Sequence, residues 1–412
     1  NVNKETGGIS VWNDGVGIEI AIHKEYNVYV PELIFGHLLT SSNYDKDEKK
    51  ITGGKNGYGA KLANIYSKKF IVETIDTSNK TKFYQEYYDN MSNKTDAKIT
   101  KSSAKSYTKI EFFPDYERFG ISGISDDIYD VFEKRIYDLA ACTPKDVNVY
   151  FNNHLIEFND FNKYVDLYLT NANMSISEED EEDKPKIIKL HEIINDRWEV
   201  AICLSPLDGH FQQISFVNGI FTARGGKHVE YVVSQLTKKI GDIIHKKKKK
   251  TVKPVYIKDN LWVFINCIIE NPSFDSQTKE TLNTIPSKFG SKCDLSDKFI
   301  EKLCKIGIIE RTVSLLEFKE NKDLKKMDGK KKTDIRGIPK LDDANYAGTN
   351  QSHKCTLILT EGDSAKAFAI SGLGVIGRDY YGVFPLRGKL RNVRDVGAKD
   401  LVKNVEINRS EE

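Results

Sequence analysis

The chain has 412 residues, with 62 Lys and Arg against 60 Asp and Glu, for a net charge of +2. That length predicts two or three domains, and 39% hydrophobic with 30% charged residues is a globular composition rather than a disordered or fibrous one. No apolar stretch approaches the ~20 residues of a membrane span, and the near-neutral total excludes polyanion binding driven by net charge alone, which leaves local basic clusters to be weighed.

Gly8-Ile9-Ser10-Val11-Trp12 reads as a short strand ending in the turn Asn13-Asp14-Gly15. The runs 68–74 and 108–112 alternate like half-buried strands, and 126–141 carries Ile128, Val131, Phe132, Ile136 and Leu139 at helical spacing. These predict an α/β or α+β layered domain with its boundary near 165–172. The acidic run Ser177-Glu178-Glu179-Asp180-Glu181-Glu182-Asp183 reads as a solvated loop. Strands over 198–204, 212–218 and 261–269 and a helix over about 228–245 predict a second domain. Residues 319–340, rich in Lys and poor in apolar periodicity, read as a linker. Thr356-Leu357-Ile358-Leu359-Thr360 then predicts a buried strand that opens a third domain.

The six Cys, at 142, 203, 267, 293, 304 and 355, never form Cys-x-x-Cys. That argues against a zinc or dithiol motif and for reduced thiols in cytosol or nucleus. Asn1-Val2-Asn3-Lys4 has neither Met nor the apolar core of a signal peptide, and Ser410-Glu411-Glu412 stops without a closing signal, so both ends read as cut.

The segment Thr52-Gly53-Gly54-Lys55-Asn56-Gly57-Tyr58-Gly59-Ala60-Lys61-Leu62 carries the strongest local chemistry. Its glycines let backbone approach a polyphosphate, Lys61 adds charge, and helix signals follow at once. It is not a Walker A loop, because Ala60 and Leu62 stand where Lys and Ser or Thr are required, and it lacks the third Gly of a dinucleotide fingerprint. From the residues alone, a phosphate cradle and a plain Gly-rich surface loop both remain open.

Five blocks in order settle the family resemblance: Trp12-Asn13-Asp14-Gly15-Val16-Gly17-Ile18, Leu39-Thr40-Ser41-Ser42-Asn43-Tyr44-Asp45, Phe274-Asp275-Ser276-Gln277-Thr278-Lys279-Glu280, Leu359-Thr360-Glu361-Gly362-Asp363-Ser364-Ala365 and Phe384-Pro385-Leu386-Arg387-Gly388-Lys389. Together with the glycine segment they resemble eukaryotic-type DNA topoisomerase II over essentially the whole chain. The resemblance implies an α+β multi-domain protein. Residues 1–168 would be the back part of a GHKL (Bergerat) ATPase α/β sandwich, and 169–308 a ribosomal-protein-S5-like transducer. A basic linker would follow over 309–353, and the start of a TOPRIM α/β domain over 354–412.

The same resemblance implies the site residues. Asn13 would contact the nucleotide base, with Gly15 and Gly17 shaping its turn. Ser41, Ser42 and Asn43 would hold ribose and phosphate. Gly54, Lys55, Asn56, Gly57, Tyr58, Gly59, Ala60 and Lys61 would cradle the triphosphate of ATP. Gln277, Thr278 and Lys279 would reach the γ-phosphate from the transducer. Glu361 would bind Mg²⁺, with Asp363 a candidate N-cap of a helix over 365–371. Lys246, Lys247 and Lys248, from a five-lysine run that the family carries as a DNA-facing loop, would touch double-stranded DNA, as would Arg387 and Lys389. Read without the family, Asn13-Asp14-Gly15 is a hairpin turn, Ser41–Asn43 an ordinary Ser/Asn turn, the lysine run an import signal or solvated helix end, and Arg387 with Lys389 a solvated pair.

Asp14, Val16 and Glu19 depart from the family pattern but leave both glycines intact, and 178–183 resembles an insertion. The family's catalytic Glu, its Mg²⁺-holding Asn, the TOPRIM Asp pair and the DNA-cleaving Tyr all fall outside this sequence, so an inactive piece of a homodimeric nuclear enzyme is expected. The alternatives are another GHKL ATPase working as a nucleotide-switched clamp, or a non-catalytic binding remnant. Glu361-Gly362-Asp363-Ser364-Ala365 argues against the first, since such clamps lack TOPRIM.

Overall fold

The computed structural model describes residues 1–38, 40, 48–54, 57–177, 187–206, 210–317 and 340–386, without side chains over 174–177. The acidic run after Ser177, positions 318–339 of the proposed linker, and positions 41–43, 55–56, 387 and 389 lie outside the described residues. Contacts divide the chain into two compact units, Asn1–Glu310 and Arg311–Glu412.

The first unit opens with β1 (Ile9–Asn13), α1 (Val30–Gly36) and α2 (Tyr58–Ile65). A meander follows: β2 (Ser67–Asp76), β3 (Thr81–Tyr88), β4 (Asn93–Lys94), β5 (Lys98–Lys101) and β6 (Tyr107–Pro114). The strands order as β1-β6-β2-β3-β4, with β5 also on β3, and every pairing is antiparallel. Period-two alternation puts Phe70 and Val72 of β2 and Phe83 and Tyr87 of β3 on one buried face, where Ile20 and Phe35 cover them. Strand β3 also buries Gln85, whose amide donates to Glu32 Oε2 at 3.1 Å and to the Thr95 carbonyl at 3.0 Å.

Helix α3 (Asp126–Cys142) starts where Ser125 Oγ accepts the Ile128 N–H, and the hairpin β7 (Tyr150–Phe151) and β8 (His154–Leu155) leads to α4 (Phe161–Ser177). A second sheet is built from β9 (Leu190–Asn195), β10 (Trp198–Leu204), β11 (Gln212–Val217), β12 (Ile220–Phe221) and β14 (Leu261–Cys267), in the order β12-β11-β14-β10-β9. Between β12 and β14 come β13 (Gly225–Gly226), α5 (Lys227–Lys248) and α6 (Pro254–Lys258). After β14 follow β15 (Thr281–Leu282) and α7 (Asp297–Leu303).

This sheet is covered on both faces, which explains the unbroken apolar run of β14. One face, with Ala201, Cys203, Trp262 and Phe264, packs on Phe161, Tyr164, Val165 and Leu169 of α4. Toward the other face, Trp198 meets Tyr231 of α5 with ring centroids 6.0 Å apart. Val229, Val232, Val233, Leu236, Ile240 and Ile244 form the buried stripe of α5 at helical spacing. Each is worth about 1.5–3 kcal/mol of burial. Position 168, the expected domain boundary, falls inside α4.

In the second unit, β16 (Thr356–Thr360), α8 (Asp363–Ile376) and β17 (Tyr381–Pro385) form a parallel β-α-β unit. Three expectations need correction. Strand β16 lies where predicted but is not buried: Leu357 and Leu359 are about half exposed and only Thr360 is covered, because one helix and one partner strand cover little of it. The N-cap of α8 is Gly362, not Asp363. Asp363 sits inside the first turn, where a carboxylate suits the helix dipole, and its Oδ2 pairs with Lys340 Nζ at 2.8 Å. The helix also runs on to Ile376 rather than stopping at 371.

Candidate functional site

The glycine segment turns into α2 at Gly57, whose φ of +64° is left-handed and suits glycine. Tyr58, Gly59 and Ala60 form the first turn, which no side chain caps. Lys61 follows one turn into the helix. It is 3% exposed and makes no hydrogen bond or ion pair among the described residues. Burial lowers its pKa from the ordinary lysine value. A partly desolvated ammonium with no counter-charge among the described residues is one that an anion supplied from outside would satisfy. Gly54 is exposed, and a Cβ there would meet nothing within 4 Å. Lys55 and Asn56 lie outside the described residues, as do Ser41, Ser42 and Asn43.

Asn13 ends β1 opposite Thr108, and its Oδ1 accepts the Gly15 N–H at 3.1 Å. The residue is exposed, and its side chain closes the turn expected from Asn-Asp-Gly. Gly17 is fixed by geometry: φ is +79°, and a Cβ would stand 2.1 Å from the Ile75 carbonyl oxygen. The chain is thereby laid against the end of β2, where Thr74 Oγ1 accepts the Ile18 N–H at 3.0 Å and Asp76 Oδ2 the Ile20 N–H at 3.1 Å.

The Gln277-Thr278-Lys279 tripeptide rides a closed loop. Asp275 N–H donates to the Thr281 carbonyl at 3.1 Å, and Ser273 N–H to Thr284 Oγ1 at 2.8 Å. Strand β15 pairs in parallel with β13, Gly226 facing Leu282, while Arg224 Nε meets Glu280 Oε2 at 2.9 Å. Gln277 and Thr278 are exposed, and Thr278 Oγ1 lies 2.8 Å from Ser276 Oγ. Lys279 is half-buried with φ +60°, and its ammonium has no acidic partner among the described residues. Desolvation lowers its pKa, helped by the nearby Arg135 guanidinium of α3. Lys279 thus stands in the same condition as Lys61: a partly desolvated cation without a counter-charge among the described residues.

Lys246, Lys247 and Lys248 are exposed, but they form the last turn of α5 rather than the loop the resemblance implied, with Lys249 the left-handed C-cap. Lysine is a good helix former, and cations at a helix C-terminus oppose its dipole. Lys247 and Lys248 line an open cleft with Lys305 and Glu310. Glu361 is exposed just past β16. Magnesium often uses one or two carboxylates with waters and phosphates, and Glu361 fits as one such carboxylate. Among the described residues no group of three or more His, Cys, Asp or Glu could hold a metal by itself. Arg387 and Lys389 lie outside the described residues.

Sequence reasoning missed a charge hub where α3 and α4 meet. Asp138 is 1% exposed, takes Lys134 Nζ at 2.8 Å and the Tyr164 hydroxyl at 2.6 Å, and has Arg135 Nη1 at 3.6 Å. Lys134 also sits 3.9 Å over the Phe221 ring of β12. An aspartate three residues from an arginine on an amphipathic helix is the only sequence signal, and it reads equally as a surface pair. A second omission is His228, fully buried at the start of α5, with Nε2 3.2 Å from Thr222 Oγ1 and no partner for Nδ1 among the described residues.

Residues 160–332 match the family described as DNA gyrase B. The chain is 50% identical over 410 residues to DNA topoisomerase 2 of Drosophila melanogaster and 49% identical over 414 residues to that of Saccharomyces cerevisiae. Each match takes in 99% of this chain but only 28% and 29% of those relatives, so the chain spans less than a third of their length. The crystal structure of the Saccharomyces cerevisiae topoisomerase II ATPase region superposes with a TM-score of 0.69 at 47% identity, covering 76% of this chain and 78% of that one. The ATPase and transducer domains of DNA topoisomerase II from Balamuthia mandrillaris give 0.71 at 45% identity, covering 78% and 79%. The mixed α/β fold of this chain is therefore the GHKL-plus-transducer fold of those structures. In sequence and in fold alike, the chain belongs to the DNA topoisomerase II family.

Proposed function

We propose that this chain is the nucleotide-binding and transducing part of an ATP-dependent type II DNA topoisomerase, which passes one duplex through a transient break in another. The observation that carries the proposal is the pair of partly desolvated lysines that have no counter-charge among the described residues, Lys61 behind the glycine segment and Lys279 on the loop after β14. Two such cations suit a polyphosphate that enters as ligand. The domain division at 168, 308 and 353, with TOPRIM from 354, belongs to the same proposal.

In this account Gly54–Lys61 accept the phosphates through backbone N–H groups and the Lys61 ammonium. Asn13 and Ser41–Asn43 hold base and ribose, and Gln277–Lys279 contact the γ-phosphate. Contact by a loop of a second domain makes that domain's orientation depend on the nucleotide. Lys246–Lys248, Arg387 and Lys389 contact DNA phosphates, which carries affinity without sequence preference. Glu361 holds Mg²⁺, which when bound stabilises charge on the scissile phosphate oxygens. A homodimeric parent enzyme acting in the nucleus belongs to the same proposal. A GHKL clamp of another kind has no support among relatives that are named DNA topoisomerase 2.

The full-length protein, incubated with supercoiled plasmid, should relax it with ATP and fail with ADP. Equal relaxation without nucleotide would overturn the proposal.

A further inference from the structure

The segment that leads into the glycine loop is tied to residues beyond the second sheet, more than two hundred positions away. Lys50 N–H donates to Asn271 Oδ1 at 3.0 Å, Asn271 N–H to the Lys50 carbonyl at 2.8 Å, and Asn271 Nδ2 to the Glu48 carbonyl at 3.1 Å. Lys49 Nζ stands 3.5 Å from Glu270 Oε2, whose other oxygen takes Arg197 Nη1 at 2.9 Å. Further along, a Cβ on Gly53 would fall 2.3 Å from Ile220 Cδ1 in β12.

The anchor itself is rigid. Ile269 N–H donates to Asn218 Oδ1 at 2.7 Å, and Asn218 Nδ2 to the Ile269 carbonyl at 2.9 Å. Asn218 and Asn271 both hold left-handed backbone, at φ +52° and +44°, a conformation asparagine tolerates better than most residues. Each therefore turns both its backbone and its amide toward one partner segment, Asn218 to Cys267–Ile269 and Asn271 to Glu48–Lys50.

We propose that Asn271 is a positioning residue that moors the leading segment of the glycine loop, residues 48–54, to the transducer. This rests on the nucleotide-binding proposal above and goes beyond it. The loop that holds the phosphates is then fixed to the transducer by contacts that need no nucleotide, so the transducer grips ATP from both ends, through Lys279 and through the loop. The two grips differ in consequence. Lys279 meets only a γ-phosphate and distinguishes ATP from ADP. The mooring places the loop identically for either nucleotide and for ground and transition states, and such uniform binding changes KM without changing kcat.

Asn271→Gly in the full-length enzyme isolates the side chain, since glycine accepts the same φ and keeps the backbone bond to Lys50. We expect KM for ATP and the inhibition constant of ADP to rise together by about tenfold, the factor two hydrogen bonds of ordinary net strength supply. The kcat should stay near wild type. Asn271→Asp, which retains the acceptor for Lys50 N–H, should recover part of that loss. A second pair does not depend on Asn271: Gly53→Ala should raise KM by pressing on Ile220, and adding Ile220→Ala should restore it. An unchanged KM in Asn271→Gly, or a fall in kcat alone, overturns the mooring. A wild-type enzyme that shows no saturable ATP turnover would instead sink the nucleotide-binding proposal beneath it.

Discussion

Gly226 offers a test in which the size of the effect follows from coordinates. It occupies φ +133°, and a Cβ built there would lie 2.4 Å from the Leu282 carbonyl oxygen and 2.5 Å from its nitrogen. Non-bonded heavy atoms settle near 3.5 Å, so Gly226→Ala must push β15 back by roughly 1 Å. Both colliding atoms are backbone, so no rotamer change relieves them. Lys279 is three residues before Leu282 and would move with it. A misplacement of about 1 Å can cost about a hundredfold in rate, and the strained φ adds about 1–3 kcal/mol of destabilisation. Gly225→Ala is the milder neighbour: it shares the backbone strain, at φ +72°, but its Cβ would meet only a side-chain atom, Val229 Cγ2, at 3.2 Å rather than backbone. The assay is steady-state ATP hydrolysis and plasmid relaxation by full-length variants, beside thermal unfolding and Mg²⁺-dependent DNA cleavage. Gly226→Ala should lose most ATP turnover and relaxation while cleavage persists, with Gly225→Ala between it and wild type. Wild-type turnover in Gly226→Ala would refute the claim that the β13–β15 contact sets Lys279.

Replacing Lys246–Lys250 with Ala in the full-length enzyme should weaken DNA binding equally for all sequences. It should also flatten log affinity against log salt by about 0.9 per lost phosphate contact; an unchanged slope returns the run to a solvated helix end. Glu361→Gln should abolish DNA cleavage and spare DNA-independent ATP hydrolysis, read from plasmid linearisation and phosphate release. Burial pushes the His228 imidazole down to about 3 from 6.5. The folded chain therefore stays unprotonated there while the unfolded chain gains a proton below the ordinary value. Stability is full above that value and falls with pH toward the lower one, by up to about 1.4 kcal/mol per unit. His228→Gln should reduce that slope in urea unfolding between about pH 6.5 and 5. An identical slope would show that His228 is not held neutral.

Sequence pattern exposed much of this fold. The apolar runs of β10 and β14 and the helical stripe of α5 give strands and helix within a few residues of their observed ends, because burial there is apolar and periodic. Strand β3 escaped because its buried face alternates Phe83, Gln85 and Tyr87, and Gln85 reads as exposed until Glu32 and Thr95 are found around it. The lysine run reads from its residues as an import signal or a solvated helix end, and the helix end is what the structure holds; the loop came from the family resemblance. At the site, the glycine segment was legible as chemistry, whereas Gln277-Thr278-Lys279 is an unremarkable exposed tripeptide that only the family resemblance raises, and nothing local distinguishes the covered Lys61 from a solvated lysine. The Asn271–Lys50 pairing, 221 residues apart in sequence, has no local signature at all.

The central claim is that Lys279 senses the γ-phosphate. The measurement is relaxation of supercoiled DNA and Mg²⁺-dependent cleavage by Lys279→Ala, on one preparation of full-length enzyme, alongside nucleotide binding. A compact ammonium on a flexible stem meets the third phosphate, so its loss should leave ADP binding intact while ATP hydrolysis and relaxation fall sharply and cleavage stays near normal. Wild-type relaxation by Lys279→Ala would contradict the account.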